Sequence, residues 1–175
     1  MFLRNWYKAI GQVMASMSAK TTYVTTSGSE FSLNNAIDNT VVQLGYPSDN
    51  YFAPAMKKVR TAISTYGGVI FGSGTIPPTI DDYNLSGSLL TTITASVNYN
   101  FTTDDSGVCY EAVYTITNTG ASEITIGEIG LLAGGDSAPN KKFLVERTVL
   151  DNPVTIPAGG IGQVTYTIRM NYPTA

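Results

Sequence analysis

The chain has 175 residues, of which 43% are hydrophobic and 13% are charged, and its formal net charge is −3. Histidine is absent, which removes the commonest general base and zinc ligand, and the single cysteine, Cys109, excludes an internal disulfide and any multi-cysteine metal site. A net negative charge disfavours a nucleic-acid-binding protein, whose binding surface would be basic. We therefore expect a protein that is not an enzyme, has no cofactor or metal, and makes no direct sequence-specific contact with nucleic acid.

Residues 1–20 are predicted to form an amphipathic helix or docking arm. Apolar residues recur at spacings of one, three and four, as they do along one face of a helix; they are Phe2, Leu3, Trp6, Tyr7, Ile10, Val13, Met14 and Met17. Such a face can enter a groove on a partner protein, and the predicted docking residues are Phe2, Leu3, Trp6, Ile10 and Met14. The alternative is that the helix packs against the protein's own sheets.

A membrane is not an expected partner. No apolar run approaches the roughly 20 residues that a spanning helix needs. The first residues include Arg4 and Lys8, but no apolar stretch typical of a secretory signal follows them. We expect the protein to stay in the cytoplasm in which it is made, or to be assembled into a larger structure there.

Residues 21–62 are predicted to be a connecting segment with mixed short elements. Thr21–Thr26 is rich in the β-branched and aromatic residues typical of strands, and residues 27–29 predict a turn. Leu33–Leu44 fits a short helix that ends at Gly45. Met56–Ala62 fits a helical turn or an edge strand. Residues 31–62 could equally be an extended arm.

Residues 63–173 are predicted to form an antiparallel β-sandwich, either jelly-roll or immunoglobulin-like. Apolar and polar residues alternate in the way typical of strands with one buried face. The predicted strands cover residues 91–101, 110–116, 124–126, 143–150 and 163–170. Turn sequences separate the strands and no helical crossover intervenes, which favours antiparallel pairing. The whole chain is accordingly expected to be mainly β, preceded by the N-terminal helix or arm.

Three features that resemble chemical sites have structural interpretations. Asp81 and Asp82 could bind a hard cation, but they lack the spacing of a calcium loop and fit a capped turn better. Asp104 begins an Asp-Asp-Ser-Gly sequence that predicts a hairpin turn. Cys109 has no histidine or basic neighbour to activate it, so an inert, partly buried thiol is expected.

The glycines between residues 67 and 74 do not fit a phosphate-binding loop. Such loops lead into a helix, whereas Pro77 and Pro78 follow here and prevent a regular helix start. We interpret Gly67, Gly68, Gly72 and Gly74 either as β-bulges or as places where two backbone segments approach closely.

Two charged residues occupy positions that the strand pattern assigns to apolar faces. Glu128 shares parity with Ile124 and Ile126, and Arg147 shares parity with Phe143 and Val145. Because an unpaired buried charge is very costly, we predict that Glu128 and Arg147 form a buried ion pair across the sandwich. The alternative is a β-bulge at Gly127 that turns Glu128 outward.

The order of several short motifs resembles that of small β-sandwich proteins in the virions of tailed bacteriophages. The motifs are GSGTIPPTIDDYNL at residues 72–85, NTG at 118–120, IGEIGL at 126–131, LVER at 144–147 and VTYTI at 164–168. This resemblance covers roughly residues 63–173. It implies a structural role in the tail, the neck or collar, or on the capsid, and it provides no catalytic residues.

The resemblance leads to one main expectation and one alternative. The main expectation is a non-enzymatic virion protein that assembles in the bacterial cytoplasm, with other virion proteins and further copies of itself as partners. A surface with few charges suits this role because little charge must be desolvated on assembly. The alternative is a carbohydrate-binding β-sandwich that recognises a bacterial surface glycan, which aromatic residues clustered on one exposed face would favour.

Overall fold

The computed structural model describes residues 1–5, 7–8, 21–33, 61, 67–134 and 142–172. Eight strands lie in these ranges: β1 Thr21–Val24, β2 Glu30–Leu33, β3 Gly68–Gly72, β4 Ile93–Asp104, β5 Gly107–Asn118, β6 Ile124–Gly134, β7 Lys142–Ile156 and β8 Ile161–Asn171. They form an antiparallel pair β1-β2 and two antiparallel three-stranded sheets, with strand orders β3-β6-β7 and β4-β5-β8. The described part of the protein is therefore mainly β, as predicted.

A tight hairpin joins β4 to β5. Asp104 pairs with Gly107, which leaves a loop of two residues, and the pairing continues without a register shift to Ile93 and Asn118. The Asp104 carboxylate accepts hydrogen bonds from the backbone N–H groups of Ser106 at 2.8 Å and Gly107 at 3.0 Å. The hairpin turn predicted at this position is confirmed.

Both three-stranded sheets contribute to one hydrophobic core. Its buried members include Phe71, Ile129 and Val145 from the first sheet and Tyr114 and Val164 from the second. The rings of Phe71 and Tyr114 meet edge to face, with their centroids 5.4 Å apart. We call the face of each sheet that is turned toward this core its inner face, and the other its outer face.

The pairing of β6 with β7 contains two register shifts. One lies between Ile126 and Glu128, and the other between Leu131 and Leu132. At the first shift β6 advances two residues while β7 advances five, and at the second β6 advances one while β7 advances two. The strands are offset by an odd number of residues at each shift, which changes the side-chain parity across it. As a result Glu128 and Arg147 belong to the outer face, although their spacing from neighbouring apolar residues assigns them to the inner face.

The outer face of β3-β6-β7 is also buried. A second apolar cluster lies there, made of Leu3, Ile70, Leu132 and Leu144 with Leu85 and Leu89 packed against it. Leu85 and Leu89 belong to the segment between β3 and β4, which we call the cover loop (residues 73–90). Strands of a sheet that is buried on both faces have nearly continuous apolar sequences, and the fully buried β3 is such a strand.

The N-terminal residues add to the open edge of β7. Phe2 forms a β-bridge with Glu146, and the N–H of Leu3 donates to the carbonyl of Val145 at 2.9 Å. The Leu3 side chain is fully buried in the protein's own second cluster.

The predicted amphipathic helix over residues 1–20 is not supported by the described residues. Residues 1–3 are extended because they bond to a strand edge, and residues 4–5 and 7–8 are helical. The rest of the predicted helix lies outside the described residues. Leu33, the predicted start of another helix, is instead the last residue of β2. The remainder of that helix and most of Met56–Ala62 lie outside the described residues. In the part of the chain that the structure covers, no helix is long and apolar enough to cross a bilayer.

Candidate functional site

Glu128 lies at the centre of a buried charge network on the outer face of β3-β6-β7. Its side chain is fully buried. Oε1 accepts hydrogen bonds from the backbone N–H groups of Gly74 at 3.1 Å and Gly87 at 2.7 Å. Oε2 accepts from both the N–H and the hydroxyl of Ser86, each at 3.1 Å. The carboxylate therefore joins the beginning and the end of the cover loop.

Arg147 completes the network from the neighbouring strand. Its Nε donates to Glu128 Oε2 at 2.7 Å, one terminal nitrogen donates to Asp82 Oδ2 at 2.5 Å, and the other donates to the carbonyl of Ile76 at 2.6 Å. Asp82 also accepts from the N–H and hydroxyl of Thr79. Two strands and the cover loop are thus held together by one arginine.

Two carboxyl groups of the network have lowered pKa values. Burial alone raises the pKa of Glu128, but the N–H groups of Ser86 and Gly87 and the positive charge of Arg147 outweigh it, so the pKa lies below its ordinary value. Burial likewise opposes the shift at Asp82, and the hydrogen bonds from Thr79 and Arg147 lower its pKa overall. Both groups are therefore stabilised as carboxylates in the folded protein.

Of the two interpretations of the glycines, close approach holds at Gly72 and Gly74. A side-chain carbon at Gly74 would meet Ser86 Oγ and Glu128 Oε1, and one at Gly72 would lie 2.8 Å from Glu128 Oε1. At Gly127 it would meet the carbonyl oxygen of Gly74. The cover loop can reach the carboxylate only because no side chain stands at these positions.

The structure brings together Glu128 and Arg147, as predicted, but not across the two sheets. The two residues lie on adjacent strands of one sheet, where Arg147 pairs with Gly130, two residues from Glu128. The alternative, a bulge at Gly127 that turns Glu128 away from the core, is also present. Glu128 is turned outward by the bulge and still forms a buried ion pair, because the cover loop buries the outer face.

The paired acids that the sequence offered as a cation site have other partners. Asp82 binds Arg147, and Asp81 forms an exposed ion pair with Arg4 at 2.6 Å. Among the described residues, no group of three or more His, Cys, Asp or Glu is placed to hold a metal ion. Cys109 is a half-buried free thiol on β5, opposite Thr102.

A second buried carboxylate, Glu146, was missed by the sequence analysis. It is turned to the inner face by the register shift and accepts a short hydrogen bond from the Tyr166 hydroxyl of the other sheet. Its other oxygen contacts the α-ammonium group of Met1 at 2.6 Å and the hydroxyl of Thr148 at 2.6 Å. Burial and the nearby negative charge raise the pKa of Tyr166. No sequence pattern identifies this contact, because the bulge that creates it leaves no signature in β7.

The inner face of β4-β5-β8 becomes exposed toward the β4–β5 hairpin. Ala112 and Tyr166 are still buried, but beyond them Phe101 is 61% exposed and Met170 is 53% exposed. We call this surface the distal patch; it consists of Tyr99, Phe101, Tyr110, Ile168 and Met170. The rings of Tyr99 and Tyr110 are stacked within it, with their centroids 6.2 Å apart.

The predicted docking residues do not form one exposed surface. Leu3 is buried within its own chain and Phe2 bonds to β7, whereas Trp6, Ile10 and Met14 lie outside the described residues. The prediction that Leu3 enters a partner's groove is wrong, because Leu3 packs against the outer face of the protein's own sheet. Among the described residues, the distal patch is an exposed apolar surface. The alternating pattern of its strands predicts the strands themselves but not the point at which the facing sheet stops covering them.

No protein-family model, curated protein or solved structure matches this chain.

Proposed function

We propose that this protein is a non-enzymatic structural component of a tailed-phage virion, and that it acts through protein–protein contacts made by the distal patch. In this proposal the two three-stranded sheets form a β-sandwich of the jelly-roll or immunoglobulin-like kind. The observation that carries the proposal is an apolar surface continuous with the core but open to solvent. Burying such a surface against another protein is favourable in proportion to its area.

The charges around the patch support an assembly role. Asp104, at the end of β4, is already paired with Arg169 of β8 and bonded within its own turn. Between Ile93 and Thr103, β4 carries no charged residue. A partner can therefore cover this region with little loss of charge hydration, and aromatic side chains such as Phe101 are typical anchors of interfaces.

The phage context rests on the order of motifs in residues 63–173. The motifs at 72–85, 126–131 and 144–147 provide the cover loop, Glu128 and Arg147, so the resemblance falls on residues that act together. The expected partners are other virion proteins and further copies of this chain, in a virion assembled in the bacterial cytoplasm. The tail, the neck or collar, and the capsid surface are all consistent with this role.

Sedimentation of the full chain tests the assembly proposal. The wild type is expected to form a defined oligomer, and the double replacement Phe101→Ser/Met170→Ser is expected to weaken association roughly tenfold or more, because it removes two exposed apolar side chains of the patch. Ile161→Ser is the matched control, since Ile161 is 69% exposed at the opposite end of β8. A wild-type protein that stays monomeric, or a double variant that associates like the control, would contradict the proposal.

A second candidate function is favoured by one observation. Tyr99, Phe101 and Tyr110 form an aromatic cluster on one partly exposed sheet face, and aromatic faces of this kind can stack on sugar rings. Titration of the wild type with bacterial surface polysaccharides would separate the two functions. Saturable glycan binding by a monomer, lost in Phe101→Ser, would favour a carbohydrate-binding module over an assembly protein.

A further inference from the structure

We infer that the open edge of β4 pairs antiparallel with β4 of a second copy of this chain, which joins two three-stranded sheets into one six-stranded sheet. The inference deepens the proposed assembly role and rests on it, since it names the partner and the contact. The edges of the two sheets differ in how far other parts of the chain bond to them.

Both edges of β3-β6-β7 are covered by the protein's own chain. On β3, the N–H of Leu90 donates to the carbonyl of Phe71 at 2.9 Å, and Leu89 bridges Gly72. On β7, the N-terminal residues bond to Val145 and Arg147. An added strand would find these backbone groups of β3 and β7 already bonded.

In the part of the chain that the structure describes, the outer edge of β4 has none of the features that normally protect an edge. Among the described residues its one strand neighbour is β5, and the twelve-residue pairing has no bulge. Residues 93–103 include no proline and no charged side chain, and residues 98–104 are all exposed. Long, regular and uncharged edges of this kind readily pair with another strand.

The hairpin determines which backbone groups point outward. Because Asp104 and Gly107 close a two-residue loop, the main-chain groups of Asp104 face β5, and the direction alternates along the strand. The odd-numbered residues from Ile93 to Thr103 therefore direct their N–H and C=O groups to the open edge. These are also the residues whose side chains lie on the inner face, such as Val97 and Phe101.

This arrangement makes β4 complementary to itself. When two copies of one strand pair antiparallel, a two-fold axis relates them. The edge-facing backbone groups belong to odd-numbered residues, so the strands bond only where odd residues lie opposite odd residues. The axis then passes through a position where a residue lies opposite its own copy. The two inner faces then lie on the same side, and the two distal patches become one apolar surface. The uncharged outer side chains Asn98, Asn100 and Thr102 lie together on the other side, whereas the two Asp104 carboxylates are roughly 30 Å apart for an axis near Asn100.

Cross-linking of single cysteines in the full chain tests the pairing. In a Cys109→Ser background, Asn98→Cys, Asn100→Cys and Thr102→Cys are treated with a short bismaleimide and compared with Thr167→Cys. Thr167 is an exposed residue with the same outward orientation on β8. We expect covalent dimers from the β4 positions, at least several-fold above the yield from Thr167→Cys.

A backbone substitution provides an independent readout. Thr103→Pro removes an edge-facing N–H, whereas Thr103→Ala keeps it, and proline is tolerated on an edge strand when its nitrogen faces outward. We expect the proline variant to associate several-fold more weakly than the alanine variant while unfolding at a similar denaturant concentration.

The outcomes separate this inference from the proposed function. Oligomers that depend on Phe101 and Met170 but give no excess cross-linking on β4 would overturn the β4 pairing and leave the assembly role intact. A monomeric wild type without cross-links would overturn both. Cross-linked dimers whose association is the same in Thr103→Pro and Thr103→Ala would also contradict hydrogen bonding along this edge.

Discussion

At the residue scale, Arg147 accounts for much of the local order. Its guanidinium has one planar set of donors, and three of its nitrogens each reach a different acceptor: a carboxylate on β6, a carboxylate in the cover loop and a loop carbonyl. Glu128 is equally well satisfied, because four donors from the cover loop surround it in addition to Arg147. A buried ion pair is stable only when its remaining hydrogen-bonding capacity is used in this way.

Replacing Arg147 tests how much the network contributes. Arg147→Met leaves the Glu128 carboxylate buried without its cation, so we expect a loss of about 3–5 kcal/mol in the free energy of unfolding, measured with urea. Arg169→Met is the control, because the Arg169–Asp104 pair is exposed, and it should change stability little.

The double variant Glu128→Gln/Arg147→Met should cost less than the sum of the two single replacements, since the interaction is lost only once. Equal losses for Arg147→Met and Arg169→Met would show that the buried network is not a stabilising element.

At the element scale, two register shifts place the charged residues. Without the shift at Gly127, Glu128 would enter the core shared by the two sheets. The shift at Val145 and Glu146 likewise turns Arg147 outward and Glu146 inward. The bulges therefore separate two buried polar contacts, one on each face of the same sheet.

Gly127→Ala tests the bulge and its contact with the cover loop. A methyl group at Gly127 would meet the carbonyl oxygen of Gly74, which is backbone and cannot move aside cheaply. We expect about 1–3 kcal/mol of destabilisation and faster chymotryptic cleavage after Tyr83, an exposed residue of the cover loop.

The control is Gly159→Ala, because a side chain at Gly159 meets no atom within 4 Å and only its φ of +69° opposes the change. It should lower stability without accelerating cleavage after Tyr83. Faster cleavage in both variants would mean that the loop responds to global stability and not to the bulge.

At the scale of the whole molecule, the two sheets have different roles. The sheet β3-β6-β7 is covered on its outer face by the cover loop and on its edges by residues 1–3 and 89–90. The sheet β4-β5-β8 extends beyond the other three-stranded sheet, and among the described residues the outer edge of β4 pairs with no strand. One sheet thus bonds to other parts of the chain on both edges, and the other carries the surface through which we propose that the protein assembles.

Stability should depend on pH mainly in the acid range. The pKa values of Glu128 and Asp82 are lower in the folded protein than their ordinary values of 4.5 and 3.8. Their contribution is present in full above these ordinary values and is lost as the pH falls through the lowered folded-state values, because the unfolded chain then binds more protons. We expect a free energy of unfolding that is level between pH 6 and 7 and declines below about pH 4.5.

Urea unfolding at several pH values between 3 and 7 measures this decline. In Glu128→Gln the decline should be smaller, since that position no longer titrates. An identical pH profile in Glu128→Gln and the wild type would show that Glu128 does not contribute to acid sensitivity.

The sequence by itself determined the β class, the β4–β5 hairpin and the pairing of Glu128 with Arg147. These follow from local alternation, turn chemistry and the cost of an unpaired buried charge, which are all encoded over a few residues. Only the tertiary structure decided which face the charges occupy, because a bulge reverses side-chain parity without changing composition. It also decided that Leu3 is internal and Phe101 is exposed, since burial depends on what covers a strand and not on the strand's own pattern.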